Sequence, residues 1–197
     1  TSAQDLNGEV MRMLYDGITT EEIDKALILA AKSRIEIEPS YSYAAARLLL
    51  QIIYRESLGV DCQQLELEVI HRRHFKDYLD EGIAADRLSP ELLKYDLEKI
   101  AAAIELTRDH KFAYIGLQTI YDRYLLHIEG RRIETPQYFW MRVAMGLAMQ
   151  EEDREARAIE FYNVLSTFHF VSSTPTLFNV GTLHQQLSSC YLSTVMD

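Results

Sequence analysis

Apolar residues recur at helical spacing along this chain as far as about residue 170, and there the pattern stops. A stripe at i, i+3 and i+4 buries one side of a helix and wets the other, so a succession of such stripes commits most of the chain to helices packed on one another. Val10, Met13 and Leu14 line one side of a segment from Asp5 to Tyr15, which Asp16-Gly17 closes. Thr19 with Glu22 forms a capping box, and Ile23, Leu27, Ala30 and Ala31 continue the stripe behind it. Pro39 and Ser40 interrupt, and Tyr43 to Arg55 reads as an almost wholly buried helix. Gln63 to Leu79 is long and amphipathic, with Leu65, Val69 and His71 to Phe75 partly inside. Ser89-Pro90 and Thr135-Pro136 each place a capping hydroxyl before a first-turn proline, opening helices through Leu93 and Met149. Asp96 caps a helix over Leu97–Leu106, Tyr114 to Tyr124 makes another, and Asp153 opens the last, through about Phe168. The helix Gln137–Met149 is apolar nearly all round, as suits the centre of a bundle. Tyr124 to Glu134, with Gly130 and two arginines, reads as either a short hairpin or an irregular turn.

After Phe170 the character changes. Val171 to Leu187 holds Ser172, Ser173, Thr174, Pro175, Asn179 and Gly181 with no helical stripe, and reads as a hydroxyl-rich loop. Ser188 to Val195 alternates loosely and is rich in Tyr, Leu, Thr and Val, which predicts a strand. A lone strand has nothing to pair with, so its partners are expected outside these residues and the chain reads as a piece of a larger protein. The expected division is a helical domain over residues 1–170 and a loop with one strand over 171–197.

With 48% apolar and 25% charged residues in 197, the chain can bury one ordinary core, and disorder is not expected. A net charge of −10 argues against nucleic acid as a partner, because tracking phosphates requires clustered Lys and Arg. Arg72, Arg73 and Lys76 do cluster, but Glu66, Glu68, Asp77 and Asp80 surround them, and the group reads as a solvated helix face. Two cysteines far apart, Cys62 and Cys190, point to a reducing cytoplasm and not a disulfide scaffold. No stretch is long and apolar enough for a membrane span or a signal peptide.

Three constellations bear on chemistry. Glu68-x-x-His71 followed by His74 and Asp77 resembles half of a di-metal helix motif, but no second Glu-x-x-His exists. A wet helix face is the reading for these residues, and no metal site is expected. Cys62, after Gly59-Val60-Asp61, has no His or Cys nearby to activate it and reads as structural. Cys190, after Ser188-Ser189 at the start of the expected strand, is open to two readings: a small buried hydrophobe, or a thiol facing a substrate pocket.

The run Ser172 to Val195, SSTPTLFNVGTLHQQLSSCYLSTV, resembles the entry to the catalytic barrel of ribonucleotide reductase large subunits. Thr174-Pro175-Thr176-Leu177-Phe178-Asn179 with Gly181, and then Leu187-Ser188-Ser189-Cys190, carry the similarity most specifically. Upstream, Ser42-Tyr43-Ala44-Ala45-Ala46-Arg47-Leu48, Tyr121 to Leu126 and Glu134-Thr135-Pro136-Gln137 are similar to that family in the same order. The resemblance implies a mainly α fold: the helical N-terminal domain of such a subunit, ending in the first strand of its ten-stranded α/β barrel.

The same resemblance implies reduction of ribonucleoside diphosphates to 2′-deoxyribonucleotides by radical chemistry. Cys190 matches one half of the family's redox-active dithiol. Its partner and the radical-bearing cysteine are expected beyond Asp197, Cys62 falling in the helical part. Thr174 and Ser189 match substrate-contacting positions, and Asp197 matches an aspartate of the specificity effector site. No cofactor is expected on this stretch itself. The implied radical source is a metal-containing small subunit, and the implied reductant is an external dithiol of thioredoxin or glutaredoxin type. The remaining barrel polypeptide, a second large subunit and a deoxynucleotide effector complete the implied partners. Thr1 to Glu38 lacks the length and the Gly-rich or basic signature of an ATP-binding cone, so that switch is not expected here. The competing reading is a helical interaction module without chemistry, which leaves the density of matches over residues 172–195 unexplained.

Overall fold

The structure, a computed structural model, describes the backbone of residues 3–59 and 66–194. The order is α1 (Ala3–Met11), α2 (Thr20–Lys32), α3 (Tyr41–Leu58), α4 (Leu67–Ala84), a 3-10 turn (Pro90–Lys94), α5 (Leu97–Ala102), a second 3-10 turn (Leu106–Lys111), α6 (Tyr114–Arg123), strands β1 (His127–Ile128) and β2 (Arg131–Arg132), α7 (Pro136–Ala148), α8 (Arg154–Ser166) and α9 (Thr174–Asn179). The mainly α expectation holds.

The caps lie where the hydroxyls and carboxylates placed them. Thr19 and Glu22 form both halves of the capping box, and Asp96, Thr135 and Asp153 each accept from a backbone N–H in the first turn behind them. Ser89 caps the first 3-10 turn, with Pro90 at its start. Of the two readings of residues 124–134, the hairpin is correct: β1 and β2 pair antiparallel, with Glu129 and Gly130 at positive φ in the turn.

Helix α7 is the centre of the molecule. Every residue from Pro136 to Met145 is buried, and α8 packs along it more extensively than any other pair of elements. On one side Tyr138 stacks on Tyr78 of α4 at 4.9 Å between ring centroids, with Phe75 at 5.3 Å. On another side Phe139 and Trp140 meet the aromatic rings of Tyr124 and Phe168. Helices α2, α3 and α6 extend the core through Ala31, Leu49, Ile53 and Leu117.

Two expectations beyond residue 170 are corrected. Residues 174–179 form a helix, not a loop: Pro175 sits in its first turn, and Leu177 and Val180 join the common core. The strand expected over 188–195 is not formed in its described part, residues 188–194, which are irregular and exposed. A strand exists through its ladder, and no neighbouring segment among the described residues offers one there. Instead, the β-type pairing of this region among the described residues is an isolated bridge between Leu88 and Thr182.

Candidate functional site

Thr174 opens α9, and its Oγ1 lies 3.3 Å from the hydroxyl of Tyr124. The Tyr124 ring stacks on Phe178 at 4.6 Å, fastening the other end of α9 to the end of α6. From α9 the chain turns back on itself. Asn179 Nδ2 donates to the Gln186 carbonyl at 2.7 Å, and Gln186 Nε2 in turn hydrogen-bonds the Tyr191 hydroxyl. Ser189 and Cys190 lie within that tethered stretch, and the Cys190 thiol is free and exposed. Among the described residues nothing buries the Cys190 side chain. No hydrogen bond joins Thr174, Ser189 and Cys190 to one another among the described residues. Asp197 and Cys62 lie outside the described residues.

What holds this segment is a buried polar cluster that sequence reasoning missed. Glu134 and Arg142 are both fully enclosed, and Arg142 Nε donates to Glu134 Oε1 at 2.6 Å. The same carboxylate accepts from the Tyr78 hydroxyl at 2.6 Å and from the Leu126 backbone N–H at 2.9 Å. Burial holds the Tyr78 phenol well above its ordinary pKa, so it stays a donor. The other side of the guanidinium faces α9: Nη1 donates to the Val180 carbonyl at 2.6 Å and Nη2 to that of Leu177 at 3.4 Å. A buried charge is tolerable only when its hydrogen bonds are met, and both partners meet them. The available signal was a glutamate just before, and an arginine in the middle of, a helix otherwise apolar nearly all round.

His71 is the second correction. The motif reading puts it on a wet helix face and the amphipathic reading of its helix puts it partly inside; it is 2% exposed, with Nε2 bonded to Thr135 Oγ1 at 2.8 Å. The cap of α7 and the imidazole thus share one hydroxyl. Arg72, Arg73 and Lys76 are exposed, as the solvated-face reading required. Among the described residues no group of three or more His, Cys, Asp or Glu side chains is placed to hold a metal ion, and no helix is long and apolar enough to cross a membrane. A third enclosed cluster joins Asp109 to Tyr54 and to Gln137, whose Nε2 donates at 2.6 Å, while Tyr162 donates to the Gln137 carbonyl oxygen at 2.5 Å.

Residues 110–185, which contain the hairpin, α7, α8 and the clamped α9, match the sequence model of the ribonucleotide reductase all-alpha domain. Along its whole length the chain is 51% identical to the ribonucleoside-diphosphate reductase subunit alpha of Chlamydia muridarum, covering 19% of that protein. It is also 38% identical to subunit alpha of Helicobacter pylori, covering 24% of it, and 32% identical over 98% of this chain to the large chain of Schizosaccharomyces pombe, covering 23%. The chain belongs to the ribonucleotide reductase large-subunit family, and it spans about a fifth to a quarter of the length of these relatives.

Proposed function

We propose that this chain is part of the catalytic subunit of a ribonucleoside-diphosphate reductase, supplying its helical domain over residues 1–170 and, over 171–197, the segment that brings one redox thiol to the substrate. Replacing the 2′-hydroxyl by hydrogen consumes two electrons and two protons and releases water. Two thiols supply both and end as a disulfide, which an external dithiol of thioredoxin or glutaredoxin type then reduces by exchange. Cys190 is one of those thiols. Thr174 and Ser189 contact the substrate through hydroxyls that donate without adding charge, and Asp197 accepts from the hydroxyl of a deoxynucleotide effector. The radical comes from a metal-containing small subunit. The rest of the barrel and a second large subunit complete the assembly, which works in the cytoplasm.

The observation that carries this reading is the Ser188-Ser189-Cys190 segment, with its exposed free thiol, in a chain alike along its full length to the reductases named above. In the intact reductase, Cys190→Ser is expected to abolish multiple turnover with an external dithiol. Melting temperature and substrate affinity should stay near wild type, since the swap keeps side-chain size. Cys62→Ser serves as the control and should turn over normally. Normal turnover by Cys190→Ser would remove the redox role from this residue.

A further inference from the structure

The segment leading to Cys190 is not merely laid against the helical domain but clamped to it from both sides. Arg142 and Gly146 are one turn apart on α7. At Gly146 a Cβ would meet the Gly181 nitrogen at 2.5 Å, so only glycine lets the two backbones approach this closely. Gly181, at φ +77, leaves room for the Arg142 side chain, whose Cγ a Cβ would meet at 2.8 Å. From the opposite side the Gly181 carbonyl accepts from Ser89 N at 3.0 Å, and Leu183 N donates to the Arg87 carbonyl at 3.3 Å.

We propose that Arg142 is a positioning residue for substrate binding: held by Glu134, its guanidinium fixes the carbonyls at the end of α9 and so sets where Thr174 stands against the bound ribonucleotide. The proposal rests on the reading of Thr174 as a substrate contact. Arginine suits the task because its planar fork reaches a carboxylate on one side and two carbonyls on the other. Lysine keeps the charge but is a compact ammonium that cannot span both. An α9 released from its clamp loses registry with the substrate, whereas the chemistry at the thiols is untouched. The loss therefore falls on binding common to ground and transition states.

The test uses the intact reductase with its small subunit and a ribonucleoside diphosphate. Arg142→Lys is expected to raise KM about tenfold with kcat within about twofold of wild type. The amides of Val180, Thr182 and Leu183 should exchange hydrogen faster while those of α3 do not change. A merely structural arginine would lower the melting temperature and the active fraction but leave KM alone. Thr174→Ala is run beside it. If Thr174→Ala raises KM and Arg142→Lys does not, the clamp proposal is overturned while the substrate reading stands. If Thr174→Ala leaves KM unchanged, the substrate reading fails and the proposal with it. Should Arg142→Lys not fold, Gly181→Ala disturbs the same contact from the other side, and an unchanged KM there also overturns the proposal.

Discussion

Asp109 and His71 are both enclosed, and they pull stability in opposite directions with pH. Burial raises the Asp109 carboxyl from 3.8 to about 7, although hydrogen bonds from Tyr54 and Gln137 work against it. The folded protein keeps a proton there that the unfolded chain releases. Its contribution is therefore full below about pH 4 and is lost as pH rises to about 7. His71 is the reverse: burial, with His74 close by, lowers it from 6.5 to about 3, so the fold holds it neutral. That contribution is full above about pH 6.5 and is lost as pH falls towards 3. Between about pH 4 and 6.5 the two slopes offset one another. Asp109→Asn removes one of them while keeping the hydrogen bonds, its carbonyl accepting from Gln137 and its amide donating to Tyr54. Relative to wild type, the variant should gain on the order of 2–4 kcal/mol between about pH 4 and pH 7. Melting curves across that window check it, and a constant offset between the two proteins would rule it out.

At the scale of elements, the helix starts separate by what their caps touch. Asp153 caps α8 at the surface, accepting from Ala156 N at 3.3 Å, and Asp153→Ala should cost about 1 kcal/mol. Thr135 caps α7 in the interior, accepting from Tyr138 N at 3.2 Å, and also satisfies His71. Thr135→Ala should therefore cost about 2–3 kcal/mol, since it leaves a buried imidazole nitrogen without a partner. Chemical denaturation of the two variants gives the difference directly, and equal losses would mean that the His71 bond contributes nothing. The same cap logic shows that α9 was legible. Ser173-Thr174-Pro175 repeats the hydroxyl-then-proline signal of Ser89-Pro90 and Thr135-Pro136, but the helix it opens is one turn and a half and bears too few apolar residues to show a stripe. Over the described residues 188–194 the expected strand failed for a different reason. Alternation describes which faces a strand presents, not whether another strand lies beside it.

For the molecule as a whole, the 197-residue chain by itself should show no turnover of a ribonucleoside diphosphate, because it carries only Cys62 and Cys190 and the proposed dithiol chemistry needs a close pair. Product formed by the purified chain with a small subunit and an external dithiol would overturn the proposed division of labour. What the sequence determined here is local: helix periods, caps, the turn at Gly130 and the Ser188-Ser189-Cys190 signature all depend on residues within a turn or two of each other. What only the tertiary structure decided is which polar groups lie inside. Ser57, Tyr78, Leu126, Glu134, Arg142, Leu177 and Val180 are spread over more than half the chain, yet they converge on one carboxylate-guanidinium pair and its adjoining backbone. Periodicity assigns a charged residue to the wet face of its helix. The desolvation of a buried charge is offset only by partners brought from distant elements, and no local pattern records that they will arrive.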